Sequence, residues 1–138
     1  YEITDSPWSS PSLYVVPVAR VQSLFSANFN ESIATDKVQA AAFQLALWEV
    51  AYDDDFNIGT GDFQASGSSA AINAAAAGFL SAADGYTGPK NYGLTFFEAT
   101  GTPISQSLVT ATPVPVPAAG FLLLGGLAGL AALRRKSS

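Results

Sequence analysis

With 138 residues the chain has room for one domain of about a hundred residues and a tail, and with 49% hydrophobic against 12% charged residues, part of it is expected to face something other than water. Net charge is −5, but Arg134, Arg135 and Lys136 supply half of the basic residues, so the body before them carries −8 and is unsuited to nucleic acid. Cys, Met and His are absent, which excludes thiolate and imidazole chemistry, disulfides and metal sites built on those ligands.

The opening Tyr1-Glu2-Ile3 is neither an initiator sequence nor a signal peptide, and the chain is expected to be a fragment whose N-terminus and any export signal lie upstream. Leu13 to Val16, bounded by prolines, reads as a short strand. Pro17 suits the first turn of a helix, because its φ is already helical and its missing N–H is not needed there, so a short helix is expected over Val18 to Phe25. The run Asn30-Glu31-Ser32 has the form of a glycosylation sequon.

Asp36 to Tyr52, DKVQAAAFQLALWEVAY, is the clearest helix and the expected centre of the core. Val38, Ala41, Leu45, Trp48 and Tyr52 recur at steps of three and four, which predicts that they line its buried face. Thr35 is the expected N-cap. Asp53, Asp54 and Asp55 then put like charges at the negative end of the helix dipole, so the helix should stop near Tyr52.

Asn57 to Ser66 reads as loop and short strand, punctuated by Gly59 and Gly61. Ser68 and Ser69 offer a cap for an alanine-rich helix, AAINAAAAGFLSAA, with Ile72, Ala76, Phe79 and Leu80 on its apolar face and Gly85 as its stop. Tyr92, Leu94 and Phe96 alternate as in a strand, and SQSLVTAT is expected to pair back with it through Gly101 and Pro103.

Acidic groups near the end of the central helix invite two chemical readings. Asp53-x-Asp55-x-Asn57 spaces oxygen ligands as an EF-hand loop does, but Ile58 stands where that loop needs Gly and Gln64 where it needs Glu. Glu49 and Asp53, four apart on a helix, have the spacing of paired carboxylates. A solvated acidic loop and an exposed acidic helix edge are the expectation, with no metal, no cofactor and no catalytic residue assigned.

From Thr110 the sequence becomes TATPVPVPAA, where Pro113, Pro115 and Pro117 favour extended polyproline backbone and a stiff linker. No charge occurs between Glu98 and Arg134, and Ala118 to Leu133 is an unbroken apolar stretch of 16 residues. As a helix it spans about 24 Å against a hydrocarbon core of roughly 30 Å, so insertion is expected but marginal. Arg134, Arg135 and Lys136 set the orientation, leaving the acidic body on the outer side. Gly125 and Gly129 form a GxxxG pair at which two helices can approach closely.

This order of proline motif, Gly- and Leu-rich span and basic end resembles the PEP-CTERM class of bacterial C-terminal sorting signals, and VPVPAAGFLLLGGLAGLAALRRK is closest to its VPLPA-CTERM variant. The resemblance implies a secreted Gram-negative protein linked to exopolysaccharide and biofilm, whose tail is recognised and cut by exosortase, a membrane-embedded protease-transpeptidase. Val114, Pro115, Val116, Pro117 and Ala118 would be the recognition motif and Arg134, Arg135 and Lys136 the cytoplasmic stop. Val116 departs from both the Glu of the PEP form and the Leu of the VPLPA form.

The segment AAFQLALWEVAYD also resembles the Gln-x-Ala-Ile/Leu-Trp stretch of surface thioester domains and of PEP-CTERM proteins that share their fold. There the Gln side chain condenses with an upstream Cys into an internal thioester that captures surface nucleophiles. Gln44 occupies the Gln position, but the chain has no Cys, so no thioester can form within residues 1 to 138.

The combined expectation is an α+β fold, a small antiparallel sheet packed with two or three helices, followed by a Pro-rich linker and one C-terminal transmembrane helix. Residues 1–109 form an extracytoplasmic domain truncated at its N-terminus, 110–117 the linker and sorting motif, 118–133 the span and 134–138 a basic cytoplasmic tail. The function expected is that of a non-enzymatic cell-surface or exopolysaccharide-matrix protein, held in the inner membrane with its body in the periplasm until processing. Its partners are exosortase, membrane lipid and an exopolysaccharide or surface ligand; the alternatives are a thioester-type reactive adhesin using Gln44, or a plain single-pass membrane protein.

Overall fold

The structure is a computed structural model that describes residues 1–4, 18–101 and 105–115. In chain order the elements are β1 (Glu2–Thr4), α1 (Val18–Asn28), α2 (Glu31–Thr35), α3 (Lys37–Tyr52), α4 (Ala70–Asp84), β2 (Tyr92–Glu98) and β3 (Leu108–Pro113). The fold is α+β, with a three-stranded antiparallel sheet of order β1-β2-β3 and, among the described residues, four helices instead of two or three. The expected strand at Leu13 to Val16 and the expected span at 118–133 lie outside the described residues. No helix among the described residues is long and apolar enough to cross a membrane.

The helix without a counterpart among the expected elements is α2. Asn30 caps it, its side-chain oxygen accepting from Ser32 N at 3.0 Å, with Glu31 at the positive end of the dipole. The α1 helix runs three residues past Phe25, and there the Asn28 amide donates to Phe79 O of α4 at 3.0 Å.

Helix α3 stops at Tyr52, as the acidic run predicts, but Asp36 is its N-cap in place of Thr35. One Asp36 oxygen accepts from Val38 N at 2.8 Å and Gln39 N at 2.9 Å, whereas the Thr35 hydroxyl donates to Ser32 O. The buried face is also not the one predicted. Val38 and Tyr52 are 38% and 41% exposed, and burial falls on Ala42, Phe43, Ala46, Glu49, Val50 and Ala51. Because α3 is apolar on nearly every side, more than one stripe satisfies the three-and-four spacing, and packing on α1, α2 and α4 selects among them.

Helix α4 follows its expected cap and face: Ser69 Oγ accepts from Ile72 N, Gly85 closes the helix, and Ala76 and Leu80 are buried. The sheet joins the helices through one face. The register Thr4↔Phe96↔Val109 and Leu94↔Ala111 puts buried Phe96 and half-buried Leu94, Val109 and Ala111 on the side that packs against the core. Tyr92 O accepts from Gln22 Nε2 at 2.9 Å and Tyr92 Oη donates to Phe29 O at 2.7 Å, fastening β2 to α1.

Five rings meet at the centre of this arrangement. Phe43 of α3 lies edge-on to Phe25 at 5.0 Å and to Phe79 of α4 at 5.7 Å, and Phe29 bridges Phe25, Phe43 and Tyr92 at 5.2 to 5.4 Å. Edge-to-face pairs at such distances add about 0.5–1.5 kcal/mol each beyond the area they bury. Phe43→Ala is therefore expected to cost about 3–5 kcal/mol in urea unfolding, while Val38→Ala, on the face the periodicity favours but the fold leaves exposed, should stay within about 0.5 kcal/mol.

Candidate functional site

The chemically distinctive part of the body is the corner where α3 ends and the loop to α4 begins. Helical periodicity carries Glu49, one turn beyond Ala46, into the interior, and its side chain is 0% exposed. Glu49 Oε1 accepts from Asn57 N at 3.0 Å, and Oε2 receives no N–H or hydroxyl donor. The expected exposed acidic edge is thus a buried carboxylate.

The loop is built around the other two acids. Asp53, the C-cap of α3, accepts through Oδ2 from Phe63 N at 3.1 Å and from Asp62 N, and through Oδ1 from Asp54 N at 2.8 Å. Asp55 accepts from Asn57 N at 2.8 Å and from the Thr60 hydroxyl at 2.6 Å. Asn57 does not point its oxygen at the acids; it accepts from Gly59 N at 3.0 Å, closing an Asx turn. The expected short strand within 57–66 is absent, and an Ala65 N to Ile58 O bond of 2.9 Å closes the loop. Trp48, preceding Glu49, sets its ring edge-on against Phe63, which covers the corner with apolar surface.

One oxygen from each of Glu49, Asp53 and Asp55 lies within 4.8 Å of the others. Burial, then a carboxyl–carboxylate hydrogen bond with Asp55, pushes the Glu49 pKa from 4.5 up to about 7, against the Asn57 N–H and helped by repulsion from Asp55 and Asp53. Asp53 moves the other way, held below the ordinary carboxylate range by the N–H groups of Phe63, Asp54 and Asp62. Two carboxylates four residues apart are thus driven to different protonation behaviour by their surroundings.

Of the EF-hand-like positions, the structure brings Asp53 and Asp55 together and adds Glu49, which lies upstream of that pattern. Gln44 is half-buried on α3 next to Phe43, and its side chain makes no hydrogen bond among the described residues. Strand β1 pairs with β2, while α3 packs on the other helices. Val114 and Pro115 follow β3 directly, and Val114 N donates to Asn91 O at 2.9 Å. SQSLVTAT pairs back with β2 from Leu108 onward, and the pairing takes in Thr110 to Pro113 at the start of the expected linker; β3 is an edge strand among the described residues, where a proline is tolerated. Val116, Pro117, Ala118, Gly125, Gly129, Arg134, Arg135 and Lys136 lie outside the described residues. Comparison of the chain with known protein families, with curated proteins and with solved structures found no match.

Two predictions follow from the acidic corner. Between pH 4.5 and about 7 the folded state holds a proton on Glu49 that the unfolded state has lost, so stability should fall as pH rises through that window and level off above it, by about 3 kcal/mol in all. Below it, the lowered pKa of Asp53 makes stability fall again as pH drops, which places the maximum in mildly acidic solution. Urea unfolding across the pH range with chelator present measures the slope, and Glu49→Gln should flatten its upper limb.

Gly61 has φ +79°, and a Cβ there would collide with the Asp53 carboxylate. Gly61→Ala is expected to cost about 1–3 kcal/mol, because it strains the backbone and displaces Asp53 from the N–H groups it caps.

Proposed function

We propose that the chain is an exported cell-surface or matrix protein whose C-terminus is an exosortase-type sorting signal, held briefly in the membrane and then cut. The observation that carries this reading is the order of residues at the C-terminus. Val114 to Ala118 form the proline motif, the stretch through Leu133 is uncharged and apolar, and Arg134 to Lys136 form a basic stop.

Support comes from where the folded body ends. Strand β3 runs to Pro113 and Val114 still donates to Asn91 O, so among the described residues the last one bonded to the body is the first residue of the motif. Cleavage within or after the motif leaves every described element of the domain intact. The basic cluster after the apolar stretch favours the cytoplasmic side, which leaves the body on the other side of the membrane. A non-enzymatic role as adhesive or matrix component is the function this arrangement serves, with exosortase, membrane lipid and an exopolysaccharide or surface ligand as partners.

Expression of the full precursor in a host with and without exosortase tests the proposal. Mass spectrometry of the mature protein should place its C-terminus near Pro117, and deletion of exosortase should leave the protein in the membrane fraction with Arg134 to Ser138 present. An intact C-terminus in the presence of the enzyme would make the chain a plain single-pass membrane protein instead.

A further inference from the structure

Three features of the corner between α3 and the following loop converge. The first is chemical: the donors are carboxylate oxygens only, in a chain without His, Cys or Met, and an all-oxygen set selects hard cations. The second is metric. Ligands on opposite sides of a calcium ion, each at about 2.4 Å, stand at most about 4.8 Å apart. The three carboxylate oxygens here lie within 4.8 Å of one another, as a shared centre requires.

The third feature is independent of the clustering. Glu49 is fully buried, and its Oε2 receives no N–H or hydroxyl donor; the Asp55 carboxylate is the neighbour it meets, and with that it can share only a proton. A buried carboxylate oxygen left without a donor is costly, and natural folds almost always satisfy such a group with protein, water or an ion. Backbone N–H groups and the Thr60 hydroxyl already hold Asp53 and Asp55 in place around it. These bonds fix the two aspartates without neutralising them, which leaves three acids facing one another.

We propose that Glu49, Asp53 and Asp55 bind a divalent cation, calcium, which ties the end of α3 to the loop before α4. Backbone carbonyls and water would complete a coordination shell that calcium accepts and magnesium, with its stricter octahedron, accepts less readily. The role is structural: the ion compensates the buried Glu49 and locks the Asp53-to-Phe63 loop. The inference stands whether or not the tail is a sorting signal.

The test uses the full chain in nonionic detergent, titrated with Tb3+ under tryptophan excitation and then with Ca2+ as competitor. Trp48 adjoins Glu49 in sequence and packs on Phe63 beside the loop, so it is placed to sensitise the lanthanide. The expected result is saturable emission that Ca2+ displaces with a Kd on the order of 0.1–1 mM. Glu49→Gln and Asp55→Asn should each weaken binding by at least roughly tenfold and remove the rise in unfolding temperature that Ca2+ gives the parent chain. Asp55 is exposed, so its variant carries the test if Glu49→Gln fails to fold. Absence of saturable binding by about 10 mM Ca2+, or equal binding by the parent and the folded variants, would overturn the proposal.

Discussion

The fold depends on the ring cluster around Phe43. Its members come from α1, the α1–α2 junction, α3, α4 and β2, so a single group of contacts fixes the mutual positions of three helices and the sheet. A domain this small has few alternatives. Without disulfides, it relies on a compact set of large side chains, and alanines at 42, 46, 76 and 83 let the helices approach closely enough for those rings to meet.

Seating Phe43 fixes the rotation of α3, and that rotation carries a consequence at the far end of the helix. The stripe that holds Ala42, Phe43 and Ala46 inward continues through Glu49 and Val50 and ends at the Asp53 cap. Glu49 lies in one row with Ala42 and Ala46, so turning it outward would carry those two buried alanines outward as well. The carboxylate is therefore buried by the same rotation that forms the core, and the loop from Asp53 to Phe63 is folded to receive it. That coupling accounts for the raised pKa of Glu49 beside the lowered pKa of Asp53: one is judged by burial, the other by the N–H groups it collects.

Much of the fold is legible in the sequence where a signal is local. Ser69 and Gly85 bracket α4, alternation marks β2, and the run Asp53-Asp54-Asp55 stops α3, because caps, periodicity and dipoles act over a few residues. What escapes is set by tertiary contact. On a helix as uniformly apolar as α3 the spacing of Val38, Ala41 and Leu45 is as regular as that of Phe43, Ala46 and Val50, and only the neighbouring helices choose. Glu49 was visible as an acid four residues before Asp53, yet its burial followed from that choice. Three-residue β1 and five-residue α2 are too short to show a period, although Asn30 before Glu31 does carry the cap signal for α2.

The junction between body and tail joins the two halves of the proposed function. Among the described residues strand β3 is an edge strand, and an edge offers unpaired backbone groups to any extended partner. Prolines at 113 and 115 remove donors at alternate positions, which blunts that edge against other copies of the chain, and Pro117 continues the alternation in the sequence. An extended, donor-poor segment is also what a membrane protease reading a short motif would take into its cleft. Under the sorting proposal, the same prolines would end the sheet, discourage edge pairing and present the cleavage motif. Val114 is where these duties meet: its N–H is spent on Asn91 O, so a protease that engages the motif from its first residue competes with one hydrogen bond of the body, while one that engages from Pro115 onward leaves the sheet untouched.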